Sequence, residues 1–139
     1  EPDEAQYYHD AGKAYRRMRR HEKAAQYLQK ALERREEHPR WWAELGESLL
    51  SQGRWEDAQS AYEKAIQLAP DEPMYVLQLG RCYEKHGRYN DAVGQYHEAA
   101  ALRPDWAVAH EHLAGLAEAQ GESREAMISY SKALQGRSH

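Results

Sequence analysis

Two rows of alanines recur along this chain at intervals of 34 residues, and this repetition constrains the fold more than any other feature of the sequence. The rows are Ala24, Ala58, Ala92 and Ala126, and Ala31, Ala65, Ala99 and Ala133. No insertion or deletion interrupts either row. A fixed period of this length indicates a repeated unit of secondary structure that stacks on its neighbours. The 139 residues hold four such units.

The clearest unit extends over residues 39–72. Apolar residues three to four positions apart predict two amphipathic helices, over about 39–52 and 55–68. Between them, Gly53 predicts a tight turn. Pro70 ends the second helix because proline cannot continue the helical hydrogen bonds.

The residues within this unit resemble the tetratricopeptide repeat family. The matching pattern is Trp42-x2-Leu45-Gly46, then Ala58-x3-Tyr62, then Pro70. The other three units follow it in register, so the resemblance covers essentially the whole chain. It implies an all-α, right-handed superhelical solenoid of four antiparallel helix pairs. The expected repeats are residues 5–38, 39–72, 73–106 and 107–139.

Individual positions depart from this pattern. Arg19 replaces the turn glycine, at a cost of about 1 kcal/mol if the turn needs a positive φ. Glu36 replaces the terminal proline of its unit. Gly94 lies in the middle of a predicted helix, which weakens that helix by roughly 1 kcal/mol relative to alanine. In the last unit, His110 and Ala117 replace large core residues.

The net charge of −4 conceals an uneven distribution. Residues 5–38 carry +4, whereas residues 39–72 carry −4 and residues 1–4 carry −3. One end of the array is therefore basic, but the chain as a whole has no basic surface. This argues against nucleic acid as the partner.

The sequence contains no apolar run approaching the roughly 18 residues of a membrane-spanning helix, and no signal peptide. Cys82 is the only cysteine, so no internal disulfide can form. This suits a reducing compartment, and we expect the protein to be cytoplasmic. The chain lacks an initiator methionine, and Pro2 stands where a preceding unit would end. We therefore expect it to be part of a longer protein.

No motif for catalysis or for a cofactor is apparent. His110 and His112 are the closest pair among eight histidines, but on a helix they point about 200° apart. We therefore expect no metal site. Cys82 occupies a packing position, and neither a phosphate-binding glycine loop nor a hydrolase motif occurs. The sequence predicts that the chain is not an enzyme and holds no cofactor.

The family resemblance implies that the first helices of the repeats line a concave groove that binds a partner. Positions that vary between the four copies predict which residues face it. The candidate groove residues are His9, Lys13, Arg16, Arg17, Arg40, Glu47, Leu77, Arg81, Lys85 and Glu111. We also expect a central apolar patch in the groove, formed by Ala43, Leu50, Met74 and Leu77.

The six basic groove candidates favour an anionic partner, either an acidic protein segment or a phosphate-bearing polymer. Family members that hold the acidic tails of chaperones use a Lys/Asn/Asn/Lys/Arg clamp. When the clamp is aligned from the first repeat, the matching positions hold His9, Lys13, Glu44, Met74 and Gln78. When it is aligned from the second repeat, they hold Ala43, Glu47, Gln78, Val108 and His112. Neither set forms the clamp, so we do not expect chaperone tails to bind.

Two other interpretations stay open. Three stretches are similar to repeats attached to bacterial glycosyltransferases and capsule-polymer polymerases: the Trp-x2-Leu-Gly motif, residues 52–58 and residues 69–73. This similarity implies a module that positions such an enzyme or its anionic polymer. The third interpretation is an oligomerisation element. The last helix, predicted over 123–135, has no following helix to cover Met127, Tyr130 and Leu134. Exposed apolar side chains of this size are unfavourable, so we predict weak self-association through the C-terminal edge.

Overall fold

The computed structural model describes residues 3–137, and this part of the chain consists of seven α-helices and no strand. Within the last helix, the side chains of residues 123, 125–127, 129–130 and 132–137 are outside the description. The helices are α1 (Glu4–Arg17), α2 (His21–Arg34), α3 (Pro39–Ser51), α4 (Trp55–Leu68), α5 (Pro73–Lys85), α6 (Tyr89–Leu102) and α7 (Ala107–Arg137). None of them is both long and apolar enough to cross a bilayer, as far as residues 3–137 are concerned.

Each helix packs against the next one in the chain, and α3 also contacts α5. The main contacts therefore join neighbouring helices and repeats, as in a solenoid. The alanine rows form the seams between helices. In the described part, Ala24, Ala58 and Ala92 have no exposed surface, and the same holds for Ala31, Ala65 and Ala99. The predicted packing register is confirmed for the first three units.

Each first helix crosses its partner helix at a glycine. Gly12, Gly46 and Gly80 lie against Leu28, Tyr62 and Tyr96, respectively. A Cβ atom added to Gly46 would lie 2.9 Å from the Tyr62 ring, and one added to Gly80 would lie 2.6 Å from the Tyr96 ring. The absence of a side chain therefore allows the two helices to approach closely, as the sequence predicted.

The turns within the first three units share one hydrogen-bonding pattern. The Arg54 N–H donates to the Leu49 carbonyl at 3.0 Å, two residues beyond the helix cap, as in a Schellman motif. The residue between the cap and Arg54 is Gly53, whose φ is +78°. In the first unit Arg19 takes this position with φ +60°. The predicted left-handed conformation of a non-glycine residue is therefore confirmed at Arg19.

Replacing Arg19 by glycine is expected to stabilise the protein by about 0.5–1 kcal/mol, because it relieves the left-handed backbone strain. The Arg19 side chain is exposed and makes no hydrogen bond within residues 3–137, so little else is lost. The reciprocal change, Gly53→Arg, should destabilise by a similar amount. Urea denaturation of both variants checks this prediction. A loss of stability in Arg19→Gly would mean that the arginine contributes a contact that outweighs the strain.

The last unit differs from the prediction. α7 runs as one continuous helix through Gly121, so the predicted fourth turn and the helix boundary near 123 are wrong. In the other units with a glycine turn, the arginine after the glycine pairs with an aspartate three residues later, as in Arg54–Asp57 at 2.8 Å. The last unit has Glu122 and Glu125 at these positions, and like charges do not stabilise a turn.

Some predictions concern residues outside the described part. Pro2 lies there, and so do the side chains of Met127, Tyr130 and Leu134. Self-association through the C-terminal edge therefore stays a prediction. Among the described side chains of this edge, Ile128 is half exposed, at 50%.

Candidate functional site

Two adjoining cavities lie between α3 and α5, on the side of the array formed by the first helices. The first has a volume of about 340 Å³ and is bordered by Arg16 of α1 as well. The second has a volume of about 200 Å³. Glu47 and Gln78 line both, so the cavities form one continuous depression, which we call the groove. This agrees with the expected position of a ligand-binding surface.

A buried carboxylate organises the N-terminal half of the groove. Glu44 is only 7% exposed, and its two carboxylate oxygens lie 3.1 and 3.2 Å from His9 Nε2. The guanidinium groups of Arg16 and Arg40 approach the same carboxylate at 3.8 and 3.7 Å. Arg16 also donates to Glu47 at 3.1 Å. Two of the six predicted ligand-binding cations are therefore already engaged with carboxylates of the protein itself.

His9 is buried, contrary to the prediction that it faces the groove as an open contact. Its ring is 7% exposed and is stacked on Trp41 with 4.6 Å between the ring centroids. In the tautomer with the proton on Nε2, His9 donates to Glu44. His9 thus connects the first repeat to the second rather than presenting a free imidazole.

Leu77 is buried as well, so the prediction that it contributes an open apolar contact is wrong. It is 3% exposed, and Ala43 is 4% exposed. His9, Ala43, Leu77 and Glu111 occupy equivalent positions 34 residues apart. The first helices of adjacent repeats pack side by side, as α3 and α5 do, and this packing covers the position in the first three repeats, whereas Glu111 in the last repeat is exposed. Of the predicted apolar patch, Met74 stays open at 43% exposure and Leu50 is half-buried.

The remaining cationic candidates fall into two sets. Arg81 and Lys85 line the second cavity and are exposed, and in the described part no carboxylate oxygen lies within 4.0 Å of their charged groups. Lys13 and Arg17 lie on α1 and line neither cavity, and the same is true of Glu111 on α7. The structure therefore brings Arg16, Arg40, Glu47, Arg81 and Lys85 to the groove, with Arg81 and Lys85 as its uncompensated cations.

Gln78 is a central groove residue that the list of candidates omitted. Its side-chain Oε1 atom is buried and has no hydrogen-bond partner within residues 3–137. A buried amide oxygen without a partner is costly, so a rotation of the Gln78 amide that brings this oxygen to a hydrogen-bond donor in the groove is favourable. The sequence contained a signal for this position: Asp10, Glu44, Gln78 and His112 form a polar row with the 34-residue period.

A second polar cluster joins α5, α6 and α7. The Tyr96 hydroxyl donates to Glu84 Oε1 at 2.6 Å, and the His112 ring stacks on Tyr96 at 4.8 Å. Burial, reinforced by the hydrogen bond to Glu84, raises the pKa of Tyr96 well above its usual value. The phenol therefore stays protonated and holds α5 against α6.

The cysteine occupies a packing position, as predicted. Cys82 has no exposed surface, and its thiol donates to the Trp55 carbonyl at 3.6 Å. Burial raises the pKa of Cys82, which keeps the thiol protonated and unreactive. Among the side chains that the structure describes, no three from histidine, cysteine, aspartate or glutamate are arranged to hold a metal ion.

Comparison with known proteins identifies the family. Two models described as tetratricopeptide repeat match the chain, one over residues 9–73 and the other over residues 49–110. Together they extend over most of the sequence, and the chain belongs to the tetratricopeptide repeat family. Among curated proteins, none matches this sequence.

Solved structures share the architecture. MamA is 21% identical with a TM-score of 0.81, and the match covers 97% of this chain and 79% of MamA. The Sgt2 TPR domain from Aspergillus fumigatus is 17% identical with a TM-score of 0.79, covering 89% and 83%. The first TPR of Spaghetti (RPAP3), solved bound to an HSP90 peptide, is 15% identical with a TM-score of 0.78, covering 85% and 94%. At these identities the similarity shows the fold, and the predicted all-α solenoid class is confirmed.

Proposed function

We propose that this chain is a non-catalytic interaction module that binds a segment of a partner protein in the groove between α3 and α5. The unpartnered Gln78 amide oxygen is the observation that carries the proposal. Gln78 lies at the junction of the two cavities, where an extended chain following the groove would present backbone N–H groups. A hydrogen bond to the backbone positions a segment without reading its sequence, which suits a scaffold.

The charges along the groove favour one orientation of the bound segment. Arg81 and Lys85 at one end would attract acidic side chains of the partner. Glu44, Glu47 and Glu72 line the other cavity, and only Arg16 and Arg40 offset them there. Complementary charges of this kind speed encounter and fix orientation more than they add affinity. The proposed partner is therefore a segment with acidic residues concentrated at one end.

The test is binding of a fluorescent ten-residue peptide that carries glutamates in one half and serines in the other. The variant Arg81→Glu/Lys85→Glu should weaken binding by about tenfold or more, because two attractive contacts become repulsive. A matched control, Lys23→Glu/Arg124→Glu, changes the net charge equally at exposed positions outside the groove. Fluorescence anisotropy at low ionic strength measures the dissociation constants.

Three results would contradict the proposal. The first is equal weakening by both double variants, which would indicate a non-specific charge effect. The second is binding that neither the Arg81/Lys85 reversal nor 0.5 M salt weakens, since about 0.5 M salt screens exposed charges beyond a few ångströms. The third is equal binding of a peptide in which lysines replace the glutamates.

The same assay addresses the narrower interpretations. Polyphosphate in place of the peptide tests the anionic polymer expected of a module in a bacterial glycosyltransferase or capsule-polymer polymerase. A peptide with the acidic end of a chaperone tail should bind no more tightly than the half-acidic peptide, since the clamp positions that would add specific recognition hold residues such as Glu44 and Met74. The cytoplasmic location and the oligomerisation role stay predictions.

A further inference from the structure

A third cavity lies on the opposite face of α3 from the groove, between α2 and α3. Its volume is about 460 Å³, and the buried side chains of Leu32 and Leu45 lie in its wall beside the half-buried Trp42. Trp42 is two residues after the groove residue Arg40, which corresponds to a rotation of about 200° around the helix. A ligand in this cavity would therefore not compete with one in the groove.

The Trp42 indole is held in a fixed orientation but carries no stacking partner. Its Nε1–H donates to the Glu36 carbonyl at 2.7 Å. The other three tryptophans each have such a partner: Trp41 stacks on His38 at 4.0 Å, Arg88 lies over Trp55 at 5.7 Å and Arg103 lies over Trp106 at 5.5 Å. Within residues 3–137, no cationic or aromatic side chain takes this place at Trp42. The Trp42 side chain packs partly on the core, and the part of it that lines the cavity can contact a group from outside the chain.

Two exposed carboxylates border the same cavity. Glu33 and Glu36 have no cationic group within 4.0 Å in the part of the chain that the structure describes. The nearest arginines in sequence are engaged elsewhere, because Arg34 pairs with Glu4 at 2.9 Å and Arg35 pairs with Asp3. The cavity therefore combines an apolar wall, an aromatic face and uncompensated negative charge.

This combination is confined to one junction between repeats. The positions equivalent to Glu33 hold Gln67 and Ala101, and those equivalent to Glu36 hold Pro70 and Pro104. The tryptophan is also unique, since Val76 and His110 take its place in later repeats. The replacement of the terminal proline by Glu36 thus places a carboxylate in the same cavity wall as Trp42, the one tryptophan without a stacking partner among the described side chains.

We propose that this cavity binds an arginine side chain from a basic segment of a partner protein. The guanidinium would stack on the Trp42 ring, and its N–H groups would pair with the carboxylates of Glu33 and Glu36. Its aliphatic stem would cover Leu32 and Leu45. Arginine suits the site better than lysine because a planar, forked guanidinium can stack and pair with carboxylates at the same time.

The test uses the capped peptide Gly-Arg-Arg-Gly, with Gly-Lys-Lys-Gly as the matched peptide. Indole N–H resonances of the ¹⁵N-labelled protein report on each tryptophan, and the signal absent from Trp42→Phe identifies Trp42. We expect the arginine peptide to shift the Trp42 signal and to bind about fivefold or more tightly than the lysine peptide. The variant Glu33→Gln/Glu36→Gln should weaken binding by about tenfold.

The control variant Glu56→Gln/Glu98→Gln removes the same charge at exposed positions away from the cavity and should leave the affinity within about twofold, since surface charges there contribute little. Equal weakening by the control would overturn the proposal, as would equal affinity for the lysine peptide. Shifts at the Gln78 side-chain amide in place of Trp42 would assign the peptide to the groove instead. If guanidinium chloride shifts the Trp42 indole signal at the same concentration as the peptide does, the cavity is a site for small cations. That result would overturn the proposal that it binds an arginine of a partner protein.

Discussion

Replacing Tyr96 by alanine is expected to lower the free energy of unfolding by about 3–5 kcal/mol, the range for removing a large buried aromatic side chain. Tyr96 has no exposed surface, packs on Gly80 and donates a hydrogen bond to Glu84. Its loss would leave a cavity between α5 and α6 and release the contact to His112. Because each repeat of an array is stabilised by its interfaces with its neighbours, the amides of α7 should lose protection from hydrogen exchange together with those of α5 and α6.

The matched control for this prediction is Tyr89→Ala in the same helix. Tyr89 is 47% exposed at the start of α6, so we expect its replacement by alanine to lower the free energy of unfolding by no more than about 1 kcal/mol. Guanidinium denaturation of the two variants provides the comparison. Should Tyr96→Ala cost no more than Tyr89→Ala, the assignment of Tyr96 to the helix crossing would be incorrect.

The substitution Gly80→Ala should destabilise by about 1–3 kcal/mol through overpacking. The new methyl group would lie 2.6 Å from the Tyr96 ring, and the hydrogen bond to Glu84 hinders the ring from moving away. The same change at Gly12 should cost less, because the nearest atom there is 3.0 Å away at the flexible side chain of Leu28. Thermal denaturation of both variants tests this order.

An internal control comes from Gly94→Ala, which should stabilise the protein by about 0.5–1 kcal/mol. Gly94 lies within α6, and a Cβ atom there would meet nothing within 4 Å. The two glycine-to-alanine substitutions, in adjacent helices, are thus expected to have opposite effects on the free energy of unfolding. If both raise stability, close helix approach at Gly80 is not required by the fold.

The fold could be predicted from the sequence because the same requirement for small residues at helix crossings recurs in successive repeats. Ala58 and Gly46 must be small where helices cross, and their copies 34 residues away repeat this requirement. The prediction failed at Gly121, where a turn like that at Gly53 was expected and the helix instead continues. A turn also needs favourable contacts after the glycine, and Glu122 with Glu125 does not provide the arginine–aspartate pair found at Arg54 and Asp57.

The site was predicted less completely, because variation between copies does not by itself distinguish an open position from a covered one. The position of Leu77 varies among the repeats and was therefore taken as open. It lies at the seam between neighbouring first helices, which accepts side chains of different size. The pairing of Arg16 with Glu44 was also missed, since it joins residues of different helices, and so was the pairing of Arg40 with Glu44 within α3. The polar row that contains Gln78 was visible in the sequence but was not used to predict the groove.

Amide hydrogen exchange with and without the half-acidic peptide tests the central claim most directly, namely that this array binds its partner in the groove of first helices. At saturating peptide, we expect added protection in α3 and α5, with little change in α4 and α6, whose residues are largely absent from the groove. The groove variant Arg81→Glu/Lys85→Glu should show less of this added protection at the same peptide concentration. Added protection confined to α4 and α6, or none in α3 and α5 while the peptide is bound, would contradict the account.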